Sequence, residues 1–147
     1  MSDITHSPII VTHEGGARFA ARVRSHRVIV DQPARAGGDD AGPMPLELLG
    51  TALGTCIAFY VQQFLMARGL PYEGLRVEVE QHKAAHPSRV GTFVARVVLP
   101  SKLPAAYVEL VERVARSCPA HGTLTNAAQV LVSIETPDAV AAEPAFR

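Results

Sequence analysis

Along the first third of the chain, apolar and β-branched residues cluster in three short runs, "PIIVTHE", "ARFAARVRS" and "HRVIVDQP". "EGG" divides the first two, and a turn near Ser25 and His26 divides the second and third. The pattern predicts strands across residues 1–36. "ARAGGDDAGPMP" follows as a Gly-, Pro- and Asp-rich loop that delivers the chain to a helix, with Pro43 or Pro45 in its first turn. The helix segment occupies 44–69, with its regular part over 46–68 and a stop at Gly69 before Pro71. It is apolar nearly all round, which predicts cover on most sides.

Beyond it, "LRVEVEQHK" alternates, with Leu75, Val77 and Val79 on one face and Arg76, Glu78 and Glu80 on the other. "GTFVARVVLPS" reads as its hairpin partner. A second helix is expected over 104–117, with Tyr107, Leu110, Val111 and Val114 as its apolar stripe. Pro119 prevents simple continuation, and a short helical turn fits "PAHGTLTNAA". "QVLVSIET" closes as a strand, so strands and the second helix fill 74–136, and 137–147 is a loose tail. One α+β domain over 1–147, strands packed around a long central helix, is the expected architecture.

Composition narrows the function. The chain has 147 residues, 14 basic and 14 acidic, so its net charge is zero. Its basic residues are scattered, which argues against nucleic acid as a partner. Residues 48–66 carry no charge and are long enough to span a bilayer. Gly50, Thr51, Gly54, Thr55, Gln62 and Gln63 within them fit a buried central helix better than a membrane span. The opening "MSDITHSPII" lacks a basic region followed by an apolar run, so no secretory signal is expected. With only two cysteines, a disulfide scaffold is excluded, and a cytoplasmic protein with two free thiols is the simplest reading.

Those thiols are the candidate chemistry. Cys56 sits mid-helix, sharing its face with Ala52, Leu53, Phe59 and Tyr60. It is either a small buried hydrophobe or a reactive thiol whose pKa a nearby cation lowers. Cys118 is either a plain junction residue or a helix N-cap whose free N–H groups favour a thiolate. A zinc site is weakly supported: Cys118 and His121 make one half-site, and His82 and His86 lie in a strand-to-loop region with no shared helical face. A hydrolase pairing Cys56 with His121 lacks an orienting third residue.

"GGDDAGPMPLELLGTALGTC", followed by "ARSCPAHGTL", resembles the OsmC/Ohr family, the osmotically inducible and organic hydroperoxide resistance proteins, in its less characterised OsmC-like branch. The resemblance covers nearly the whole chain. It implies an intertwined homodimer and a thiol-dependent peroxidase that acts on organic hydroperoxides in oxidative stress and needs no cofactor or metal. It makes Cys56 the peroxidatic thiol and Cys118 the thiol that resolves its sulfenic acid into a disulfide. An external thiol, a lipoylated protein in part of the family, resets the pair. The activating arginine maps to Arg18 in "EGGAR", with Arg22 and Arg24 as reserves. Hydroperoxide-reducing members also carry an acid ten residues before the cysteine. Here Leu46 holds that place and the acid is Glu47, which nine helical steps put on the face opposite Cys56. Glu47 is then either part of the site or a first-turn acid that suits the helix dipole. The alternative function is a non-catalytic protein of this family that binds an apolar or reactive small molecule.

Overall fold

A computed structural model describes residues 7–137. The first sheet is antiparallel, in the order β1 (Ile10–His13), β2 (Phe19–Val23), β3 (His26–Val30). Gly15 and Gly16 take positive φ between β1 and β2. Between β2 and β3, Arg24 adopts φ 55°, the left-handed conformation that a two-residue hairpin needs and that costs a non-glycine residue some strain.

After a short 3₁₀ turn (Ala34–Ala36), helix α1 spans Pro45–Met66. It starts with Pro45 at its first position. It ends two residues earlier than expected, where Gly69 turns to φ 62° and the Leu70 N–H reaches back to the Leu65 carbonyl at 3.0 Å. The hairpin β4 (Arg76–Ala84) and β5 (Arg89–Val98) forms a second, two-stranded antiparallel sheet. Helices α2 (Ala105–Arg116) and α3 (Pro119–Thr125) follow.

The core is one face of α1 pressed between this hairpin and the two later helices. Leu53, Ile57, Val61, Phe64 and Leu65 cluster with Val111 and Cys118, and Val77, Val79, Phe93 and Val97 pack against them. Glycine permits the closeness. A Cβ at Gly54 would meet Val79 Cγ2 at 3.0 Å, and one at Gly50 would meet Gln81 Nε2 at 2.3 Å. The Gln81 amide also donates to the Leu46 carbonyl at 2.9 Å, tying β4 to the first turn of α1.

One expectation is met in part and one is corrected. First, the cover expected on most sides of α1 is supplied on one face only by the described residues of a single chain. Leu46, Leu49, Phe59 and Met66 are 44%, 44%, 55% and 47% exposed. At about 100° per residue Leu49, Phe59 and Met66 share one broad face with Cys56, whereas Leu46 stands in the first turn on the side of Phe64. The reason is the placement of the first sheet, which makes no substantial contact with α1 and leaves its outer face open. The helix is long and apolar enough to cross a membrane by composition, but its other face is the centre of the protein core. Second, the closing strand over 129–136 takes no place in either sheet, and Val130, Val132 and Ile134 are more than three-quarters exposed. An apolar strand needs a ladder partner, and this segment finds none within the described chain. The tail expected at 137–147 lies, beyond residue 137, outside the described residues.

The packing of α1 on β4 is open to measurement. Gly54→Leu should destabilise the protein by about 1–3 kcal/mol through overpacking against Val79. Gly122→Ala, in α3 with nothing within 4 Å of the added methyl, should be neutral or stabilising because alanine favours the helix. Urea unfolding of the two variants beside the parent protein gives both values.

Candidate active site

Cys56 and Cys118 stand 62 positions apart in sequence (118 less 56), and the fold brings them together. α1 carries Cys56 on the border between its buried face and its open stripe, so the thiol is half-buried. Cys118 is the N-cap of α3, with extended backbone (φ −67°, ψ 143°) ahead of Pro119. That is the capping arrangement expected from "SCPAH": the His121 N–H donates to Cys118 Sγ at 3.3 Å. Both thiols are free.

Their environments differ. Cys118 is 1% exposed, and burial pushes its thiol above the ordinary value. The His121 N–H pulls in the opposite direction, and the neighbouring Cys56 thiol pushes it up further. Desolvation thus outweighs the N–H groups of His121 and Ala120, which runs against the cap-stabilised thiolate, one of the two readings of Cys118. The accessible member of the pair is Cys56.

Its expected neighbours divide between two surfaces. Leu53 is buried, Ala52 and Phe59 are exposed, and Tyr60 is half-buried with its ring edge-on to Phe59 at 5.8 Å. Behind Leu53 and Ile57 lies an apolar cavity of about 570 Å³, walled by Phe93 and Val97 on one side and Val111 on the other, with His121 at its edge.

Among the candidate arginines, Arg22 and Arg24 are exposed, while Arg18 is half-buried with its Nε buried and without a hydrogen-bond partner among the described residues. Among the described residues, the sheet that Arg18 adjoins makes no substantial contact with α1, the helix that carries Cys56. Glu47 stands at the start of α1. Its Oε2 accepts the Met44 N–H at 2.8 Å, closing the first turn of α1 as a first-turn acid does. Among the described residues, no group of three or more His, Cys, Asp or Glu side chains is arranged to hold a metal ion.

A residue absent from the sequence reading stands out. Asp31, at the end of β3, is 1% exposed, and its carboxylate accepts three backbone N–H groups, from Gln32 at 2.8 Å and from Asp39 and Ala41 at 3.1 Å each. The only sequence signal was an aspartate ending an apolar run before a Gly-rich loop, a place usually filled by a surface turn residue.

Comparison with known proteins agrees with this geometry. The family model for OsmC-like protein matches residues 37–133, which includes both cysteines. No curated protein matches the chain. Among solved structures, a proposed osmotic stress induced and detoxification response protein from Psychrobacter arcticus 273-4 superposes with a TM-score of 0.75 at 22% identity, covering 84% of this chain and 91% of that one. An OsmC-like protein from Mycoplasma pneumoniae gives 0.63 at 20% identity, with 85% and 91% covered. An organic hydroperoxide resistance protein OsmC from Legionella pneumophila gives 0.57 at 15% identity, with 82% and 90% covered. At these identities the likeness is one of fold, and the family model supplies the rest: the chain belongs to the OsmC-like protein family.

Proposed function

We propose that this protein is a homodimeric cysteine peroxidase that reduces organic hydroperoxides in the cytoplasm. The observation that carries the reading is the pairing of an accessible thiol, Cys56, with a buried one, Cys118, beside it. In the first step the Cys56 thiolate attacks the terminal oxygen of ROOH. An S–O bond forms, the O–O bond breaks, and the departing alkoxide takes a proton to become ROH, leaving Cys56 as a sulfenic acid. Cys118 then attacks that sulfur. An S–S bond forms, the S–O bond breaks, and the thiol proton leaves with hydroxide as water. An external dithiol, such as the lipoyl group of a lipoylated protein, returns the disulfide to two thiols by exchange and is itself oxidised.

Dimerisation completes this site. The open face of α1 exposes Leu49, Phe59 and Met66, side chains whose full burial is worth about 1.5–3 kcal/mol each. The sheet β1–β3 lacks a helix on its face, and Ile9, Ile10 and Val11 are exposed at its edge strand. A second copy laid over both surfaces would bury α1 on its open side and seat an Arg18 near Cys56. That cation would favour the thiolate, and Phe59 and Tyr60 would offer an apolar lining to the tail of an organic peroxide. The engagement of Glu47 in its cap favours one other reading, a binding protein whose thiols do not turn over.

Light scattering at micromolar concentration should return twice the chain mass; a monomer would leave the site without its arginine and end the reading. Reduced protein treated with cumene hydroperoxide should lose both thiols to an intramolecular disulfide, and faster than with hydrogen peroxide. Cys56→Ser should abolish turnover, whereas Cys118→Ser should stop at the sulfenic acid and over-oxidise. Arg18→Ala should slow the first step at neutral pH by about tenfold for each unit by which the Cys56 pKa rises, with the loss shrinking at high pH. Thiols that survive excess organic hydroperoxide would leave the binding protein as the function.

A further inference from the structure

Arg18 and Asp31 face each other by register. Phe19 pairs with Val30 in the β2–β3 ladder, and the next position outward sets Arg18 opposite Asp31. Both are held by their backbones. The Arg18 N–H donates to the Gly15 carbonyl at 3.0 Å, and its own carbonyl accepts from Glu14 at 2.9 Å. The Asp31 N–H donates to the Pro43 carbonyl at 3.3 Å, two residues before α1 begins.

The loop between β3 and α1 wraps the Asp31 carboxylate so tightly that a Cβ at Gly38 would fall 2.7 Å from its Oδ1 and 1.9 Å from the Gln32 carbonyl oxygen. Three N–H groups fix the carboxylate, and an ionised carboxylate has room for about four donors. Opposite it, the Arg18 Nε is buried and without a partner among the described residues. A fixed, incompletely used acceptor thus faces an unused buried donor, and the same loop leads into the helix that carries Cys56.

We propose that Asp31 is the positioning residue for Arg18, filling the part that Glu47 leaves when it caps α1. This rests on the reading of Arg18 as the activating cation. Asp31 aims the guanidinium and anchors the arginine's turn to the start of α1, while the loop N–H groups keep the carboxylate from swinging away. The electrostatics are consistent. The Ala41 N–H first, then those of Gln32 and Asp39, and then the charge of Arg18, hold the Asp31 carboxyl below its ordinary value against the opposing effect of burial.

The test is the pH profile of Cys56 alkylation by iodoacetamide, in a Cys118→Ser background so that one thiol reports. Loss of a negative charge alone would lower the Cys56 pKa, because it removes a group that disfavours the thiolate. Loss of aim would raise it. Asp31→Asn should therefore shift the profile upward, in the direction of Arg18→Ala, with about a three- to tenfold loss of rate at neutral pH. The double variant should be no slower than Arg18→Ala alone, since both act through one guanidinium. A shift with Arg18→Ala and none, or a downward one, with Asp31→Asn overturns the proposal and leaves the peroxidase reading standing. No shift with Arg18→Ala removes the arginine from the reading, and the proposal with it. Should Asp31→Asn fail to fold, ¹⁵N NMR of the wild-type dimer decides: the Arg18 Nε–H should exchange slowly, and exchange as fast as that of free arginine overturns the assignment.

Discussion

The close seating of α1 on β4 is the contact on which the rest of this molecule depends. Gly50 and Gly54 remove the side chains that would hold the helix away, and Val77, Val79 and the Gln81 amide fill the space so gained. With its inner face committed there, α1 presents Leu53 and Ile57 to the core and turns Cys56 to the border between buried and open surface. A helix standing further out would bury less of Leu53 and lose the contact with Cys118. Two mid-helix glycines cost roughly 1 kcal/mol each in helix propensity, and the close packing they permit offsets that cost.

The same commitment leaves the opposite stripe of α1 bare. Apolar side chains at Leu49, Phe59 and Met66 lie on one open face, which the described residues leave exposed. The three-stranded sheet that precedes α1 has the complementary problem, a sheet face without a helix. Each surface is the kind of partner that the other lacks, which is why dimerisation and chemistry are linked in the proposed function. In that proposal one association would bury the helix and deliver the arginine.

Division of labour between the thiols follows from burial. Cys118 sits in the core at the start of α3, where the His121 N–H supports it but desolvation dominates and pushes its pKa up. Cys56 has access to solvent from the open stripe. Asp31 belongs to the same logic at the other end of the loop. A buried carboxylate is tolerated because three N–H groups replace its water, and the strand register sets it opposite Arg18.

Much of this was legible in the residues themselves. The alternation in "LRVEVEQHK", the stripe of α2 and the cysteine before Pro119 each carry a local signature, because strand period, helix period and cap geometry are set by neighbours in sequence. The "LLGTALGTC" and "SCPAHGTL" segments also carried the family. Other features depend on residues far apart, and no local pattern reports them. Whether the apolar run of 129–136 becomes a strand depends on a free ladder partner rather than on its own propensity. The hydrogen bond from the Met44 N–H to Glu47 closes the first turn of α1, a contact no apolar pattern reports. The sequence by itself determined the order of elements, the two thiols and the family. Only the tertiary structure decided which face of α1 is covered, which thiol is buried and that Asp31 faces Arg18, because burial and charge pairing arise from distant segments meeting in space.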